Sequence, residues 1–221
     1  MRNTSKKENY EEEYQKHFHK NLLSNRKYYL FRAKIGDLDY WKYLNKGITL
    51  DYGCGIGQFI FLHRNSAIGL EKSRFAAHEC NKRGIKIIPE KKLKESSLSN
   101  IVCIHMLEHT KNPKKYIKLF YKFLKPGGKL LLVLPYPFKR CEIKKGDSCD
   151  EYIGWKLKGK YGNSYMRNIL KKNRFKIIKE KFNYYGGFRA IFFLPIFIAY
   201  PLEKIVNFLR NSKEYVYLAI K

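Results

Sequence analysis

The chain reads as an α/β protein with a doubly wound, mostly parallel sheet, and three observations predict this. Short apolar runs suited to buried strands, at 48–51, 66–70, 101–106 and 130–133, alternate with segments of helical spacing. The first run passes straight into a glycine cluster, Asp51-Tyr52-Gly53-Cys54-Gly55-Ile56-Gly57, the pattern of a strand, a tight turn and then a helix. Two further strand-like stretches, 175–182 and 215–220, close the chain. Ligands of such sheets gather at the carboxyl ends of the strands, where Asp51, Glu71 and His105 fall.

The elements follow in order. Residues 10–33 carry Tyr10, Tyr14, Phe18, Tyr28 and Tyr29 in one or two helices, with the rings as packing. A helix over 74–83 stops at Gly84, and a third strand is expected over 85–88. Asn112-Pro113 opens another helix, a capping side chain followed by proline in the first turn. Behind it, Tyr116, Ile117, Phe120, Phe123 and Leu124 recur at helical spacing and mark a buried face. Ser164 is expected to cap a helix that turns Met166, Ile169 and Leu170 inward and ends near Asn173. The stretch 175–182 alternates apolar and basic residues, as a half-exposed strand does.

The glycine spacing excludes two familiar loops. A dinucleotide fingerprint needs glycine where Gln58 stands, and a P-loop needs Gly-Lys-Ser/Thr, which is absent. Glu71 ends the second strand, 20 residues after Asp51, where a carboxylate can accept hydrogen bonds from both hydroxyls of a ribose.

With these residues in place, Asp51-x-Gly53-x-Gly55-x-Gly57 resembles the first motif of the class I S-adenosylmethionine-dependent methyltransferases. The run 101–109, closing in Leu107-Glu108-His109, is similar to the fourth-strand segment of that family's small-molecule branch, which includes quinone and saccharide O-methyltransferases. Leu124-Lys125-Pro126-Gly127-Gly128 is similar to the turn into its fifth strand. The resemblance implies a Rossmann-like sheet of seven strands with a C-terminal antiparallel hairpin. It implies one domain over 1–221: a helical cap at 1–45, a cofactor core at 46–136, and a substrate side at 137–221 with an apolar insertion at 188–209. It also implies S-adenosylmethionine as cofactor, held by Asp51, Gly53, Cys54, Gly55, Gly57, Glu71 and His105. The connector 138–161, with Trp155, shapes the acceptor pocket in such proteins. Two positions depart from the family pattern. Glu90 follows Pro89 where an acid flanking the adenine is expected, and Asn100 replaces an acid before the fourth strand. The Asn/Asp-Pro-Pro-Tyr motif of amino-directed DNA enzymes is missing after the fourth strand.

Composition sets the partners. The five cysteines form no C-x-x-C pair, which suits a reducing cytoplasm rather than a disulfide scaffold, and Cys54 is read as packing. The first 20 residues have no apolar core of a signal peptide. A net charge of +27 suits an anionic membrane surface or nucleic acid, or reflects lysine-rich composition alone. The run 191–200, interrupted by Pro195 and followed by Pro201, is too short to span a bilayer but suited to its interface. The expected function is therefore methyl transfer to a small or lipid-linked acceptor, at oxygen, in the cytoplasm or peripherally at the inner face of the membrane. His105 and His109 are the candidate bases, and no metal is expected, since Glu108 and His109 supply only two ligands. An RNA methyltransferase and a catalytically idle binding protein are the rival readings.

Overall fold

In the computed structural model, residues 12–13, 15–110, 112–136 and 160–221 are described. Strands β1 (Thr49–Tyr52), β2 (Ala67–Leu70), β3 (Leu98–Ile104), β4 (Leu124–Tyr136), β5 (Lys176–Tyr184) and β6 (Lys213–Ile220) form one sheet in the order β2-β1-β3-β4-β6-β5. The first four are parallel, while β6 runs antiparallel to both β4 and β5, as the hairpin expectation holds. Among the described residues the sheet has six strands rather than seven. The expected third strand is reduced to a single parallel bridge between Gly69 and Ile87. Gly84 at φ +71° precedes this stretch, and Pro89, which has no N–H, follows it, so there is little room for a ladder.

The central strands are buried on both faces and alternate between two cores. Along β4, Leu130, Leu132 and Leu134 join one cluster, and Leu131 and Val133 join the other. The first cluster is completed by α4 (Pro113–Phe123), which buries Ile117, Phe120 and Phe123, and by α5 (Lys160–Lys172), which buries Met166, Ile169 and Leu170. Each such side chain contributes roughly 1.5–3 kcal/mol through the water it sheds. The second cluster takes Tyr40 from α2 (Arg26–Tyr40) and Cys80 from α3 (Arg74–Lys82).

The helix signals stand with two changes, the first being that the helix expected after the glycine loop is reduced to a single 3-10 turn, Phe61–His63. Asn112 Oδ1 accepts from the N–H of Lys115, with Pro113 in the first turn, as the spacing predicts. Ser164 is not a cap: α5 begins at Lys160, and Ser164 sits exposed within it. Ahead of α2, the short helix α1 (Lys20–Ser24) packs Leu22 and Leu23 beside Tyr29 and Ile56. Tyr28 and Tyr29 are buried as expected, but Phe18 is exposed. Tyr10, Tyr14 and the connector 138–159, with Trp155, lie outside the described residues.

Between β5 and β6 the chain makes α6 (Ile196–Leu209), with Pro201 inside it. This helix is inverted. Ala199, Glu203 and Asn207 are its buried residues, while Phe197, Ile198, Leu202, Ile205, Phe208 and Leu209 are exposed.

Candidate active site

The site is built where β1, β2 and β3 end. Gly53, Gly55 and Gly57 all take positive φ, +80°, +54° and +76°, which an L side chain adopts only with strain. Space is short as well. A Cβ on Gly53 would lie 2.5 Å from Met106 Cγ, and one on Gly57 would lie 2.4 Å from Ile85 Cδ1. Gly55 faces a different neighbour: a Cβ there would stand 3.3 Å from the His19 imidazole. The loop is anchored from both sides, since Tyr29 donates its hydroxyl to the Ile56 carbonyl at 3.0 Å, and the Cys80 thiol lies 3.2 Å from the Gly55 carbonyl.

Two carboxylates flank this loop. Asp51 is buried in β1, and among the described residues no hydrogen-bond donor meets it. Burial first, and the nearby Glu71 second, push its carboxyl up to about 8. Glu71 follows β2 and is held by backbone. Its Oε2 accepts from Gly55 N–H at 2.9 Å, and its Oε1 accepts from Lys72 and Ser73 N–H at 2.7 and 2.8 Å. A carboxylate has about four acceptor positions, so Glu71 retains capacity for a further donor. Cys54 is buried beneath the loop, and its thiol is raised by the Cys80 side chain and by burial, which suits packing rather than nucleophilic use.

His19 is a site residue with no sequence signal. It is buried over Gly55, its Nδ1 has no partner among the described residues, and burial reinforced by Arg83 lowers its pKa to about 4. A neutral imidazole therefore covers the loop. Nothing in the spacing of residues 10–33 singles out this histidine from the charged letters around it.

On the other side, His105 leaves β3 at φ +50°, a left-handed conformation uncommon for a residue with a side chain. Its Nε2 is 2.8 Å from Glu214 Oε2, and its Nδ1 is 3.4 Å from Glu108 Oε1. Tyr185 lies along the ring, with centroids 6.0 Å apart, and the Arg32 guanidinium covers Tyr185 from 4.3 Å. His109 lies on the exposed side of the turn Leu107–His109.

Glu214 belongs to a buried polar network that spacing does not reveal. Its Oε1 accepts from the Tyr40 hydroxyl and, at 2.7 Å, from Asn183 Nδ2. Asn183 Nδ2 also reaches Asp39 Oδ2 at 3.2 Å, and Asp39 accepts from Tyr200 at 2.8 Å and Lys204 at 2.6 Å. Burial, reinforced by Asp39, holds the Glu214 carboxyl well above the usual range. Alongside, Arg32 pairs with the fully buried Glu203 at 2.5 Å. Removing either partner alone would strand a buried charge, at a cost of about 3–5 kcal/mol. Glu203 and Lys204 are the only signal in the sequence, two charges inside an apolar run.

The two positions that depart from the family pattern have structural partners. Asn100, fully buried, accepts from Asn45 N–H at 2.8 Å and donates to Asn45 O and Thr49 Oγ1, a pattern that an ionised aspartate cannot make. Glu90 accepts a hydrogen bond from the Tyr52 hydroxyl.

A family model described as a methyltransferase domain matches residues 14–179, most of the chain. The chain belongs to the class I S-adenosylmethionine-dependent methyltransferases. The domain is that of an enzyme, and S-adenosylmethionine is the cofactor that goes with it. The chain is 32% identical over 127 residues to an uncharacterised protein of Methanocaldococcus jannaschii, a match covering 56% of this chain and 58% of that protein. It therefore spans little more than half the length of that relative. Its fold is similar to a methyltransferase from Archaeoglobus fulgidus (TM-score 0.59, 16% identity, 92% of this chain and 98% of that one). It is also similar to one from Thermotoga maritima described as a possible histamine N-methyltransferase (TM-score 0.60, 17% identity, 95% and 97%). The residues fit the cofactor on their own terms: three cramped glycines, a buried carboxylate lacking a donor, and a second carboxylate with acceptor capacity to spare.

Proposed function

We propose that this chain methylates a hydroxyl oxygen of a small or lipid-linked acceptor in the cytoplasm, with His105 as the base. The observation that carries this reading is the pairing of His105 with the buried Glu214 directly after β3, next to Met106, which packs on the glycine loop.

S-adenosylmethionine, when bound, supplies a methyl group already activated on sulfur. The protein's task is to bind, orient and deprotonate. Asp51 offers its carboxylate to the cofactor's amino group, and Glu71 accepts from the ribose hydroxyls. Gly53, Gly55 and Gly57 let the backbone approach, and Cys54 fills the space beneath them. His19 covers the loop and keeps water away from it. At the acceptor side, the base is the deprotonated form of the His105–Glu214 pair, in which Glu214 accepts the Nε2 proton as a hydrogen bond and Nδ1 is free to take the hydroxyl proton; the raised Glu214 carboxyl moves that form toward higher pH. Glu108 Oε1, 3.4 Å from Nδ1, gives way to the acceptor hydroxyl. Glu214 then balances the imidazolium. Positioned proton transfer of this kind contributes about 10²–10⁴-fold to rate. His109, exposed on its turn, is the weaker base candidate.

The test is methyl transfer from labelled cofactor to hydroxylated acceptors, aqueous and lipid-linked, by the wild type and by His105→Asn. Transfer that His105→Asn leaves intact removes the base assignment. The charge of +27 favours a second reading, methyl transfer to RNA. Tight RNA binding that weakens steeply with salt, together with label in RNA, would replace the small acceptor.

A further inference from the structure

Helix α6 presents the reverse of a soluble helix. Its polar residues turn in: Glu203 pairs with Arg32, Lys204 with Asp39, and Asn207 is buried. Its outer face is apolar from end to end, with Phe197 76% and Leu209 75% exposed and Ile198, Leu202, Ile205 and Phe208 between them. Phe193, in the turn before the helix, is 72% exposed on the same segment. A contiguous apolar face of this kind on a single helix marks a binding surface.

Charge identifies the occupant. From Gly186 to Lys213 the only acid is Glu203, which is buried, whereas Arg189 and Arg210 stand exposed before and after the helix. Pairing two copies through this face would bring two chains of +27 together. An anionic bilayer attracts the same charge and covers the same apolar face. Among the described residues no helix is long and apolar enough to cross a membrane, so α6 would lie in the interface.

We infer that the outer face of α6 docks this protein on anionic lipid bilayers. The inner side of the same helix joins the network around His105. Lys204 Nζ lies 3.3 Å from Asn183 Oδ1, and Asn183 bonds Glu214, the partner of His105. The inference goes beyond the methyl-transfer reading and stands on its own observations.

The experiment is co-sedimentation of the full chain with vesicles of phosphatidylcholine alone and with about one-third phosphatidylglycerol. Wild type should pellet with the anionic vesicles, less at about 0.5 M salt, and hardly at all with the neutral ones. Phe197→Ser, Ile205→Ser and Leu209→Ser together should reduce binding about tenfold or more while melting close to wild type, because all three side chains are already in water. Phe192 is unsuitable for this variant, since it packs on Tyr28 with ring centroids 5.8 Å apart. Undiminished binding by the variant would assign the membrane to lysines elsewhere and overturn the docking face. A large loss of thermal stability would show the face to be packed, and a wild-type dimer that the variant dissolves would assign it to a second copy. Either result overturns the inference. Calorimetry with S-adenosylmethionine on the same samples reports the cofactor reading separately.

Discussion

At the glycine loop the chemistry is carried by backbone, and beside His105 it is carried by side chains. The loop depends on three positive φ angles within five residues, and its contacts come from one short stretch and two strand ends. The proposed acceptor side rests on Asp39, Asn183, Glu203 and Glu214, which four separate elements bring together. A backbone site cannot be altered without straining the chain. A side-chain network can be retuned one residue at a time, so one cofactor can be kept while acceptors change.

The sharpest break in this contrast is Gly55→Val. A branched residue at φ +54° is strained and meets His19, so calorimetry should detect no binding of S-adenosylmethionine or its demethylated product, a loss of about a hundredfold or more. Normal binding by a folded variant would detach the loop from the cofactor. On the acceptor side, Glu214→Gln should lower turnover about a hundredfold and leave cofactor affinity unchanged. The glutamine amide donates to Nε2 and holds His105 in the tautomer with Nδ1 protonated. Equal turnover by wild type and variant would make Glu214 purely structural.

Smaller effects sharpen the comparison. Glu71→Ala removes a carboxylate that both orders the loop and awaits the ribose, so cofactor affinity should fall about tenfold. Unchanged affinity would move the ribose contact elsewhere. Asp51 gives the smallest effect and the most specific one. Its folded pKa of about 8 lies above the unfolded value near about 4, so the folded state holds the proton more tightly. Its contribution to stability is present at low pH and is lost as pH rises through that window. Asp51→Asn should therefore melt progressively above wild type from about pH 4 to about pH 8, with no further change above that. Over the same range wild type should bind the demethylated product more tightly as Asp51 ionises, while the variant stays weak and flat. A constant melting difference across that range would contradict a raised Asp51.

What was legible in the sequence follows from the same contrast. Alternating glycines after a strand have a conformational cause, and Asn112-Pro113 has a capping cause, so both are read locally. The fold class and hairpin follow from periodicity, because β4 buries alternate residues in two cores. The third strand was overread: Ile85 and Ile87 have strand character, but Gly84 and Pro89 leave only a bridge. His19 and Glu214 were not legible, since no spacing connects residue 19 to 55 or 214 to 105. In α6 the apolar residues are plain in the sequence, but which way they face follows from the structure, where Ala199, Glu203 and Asn207 are the residues turned in.

Strand β5 borders the sheet, and Lys176, Lys179 and Lys181 punctuate it, with a break in register between Ile177 and Lys179. An open strand border is a template on which further chains add and grow into fibres. Lysines repel such an addition, and the irregular register denies it a straight ladder. A protein that keeps an oily helix in water runs a constant risk of clumping, and here the lysines along β5 oppose growth of the sheet from that border. Clustering through α6 would then end at small, reversible assemblies.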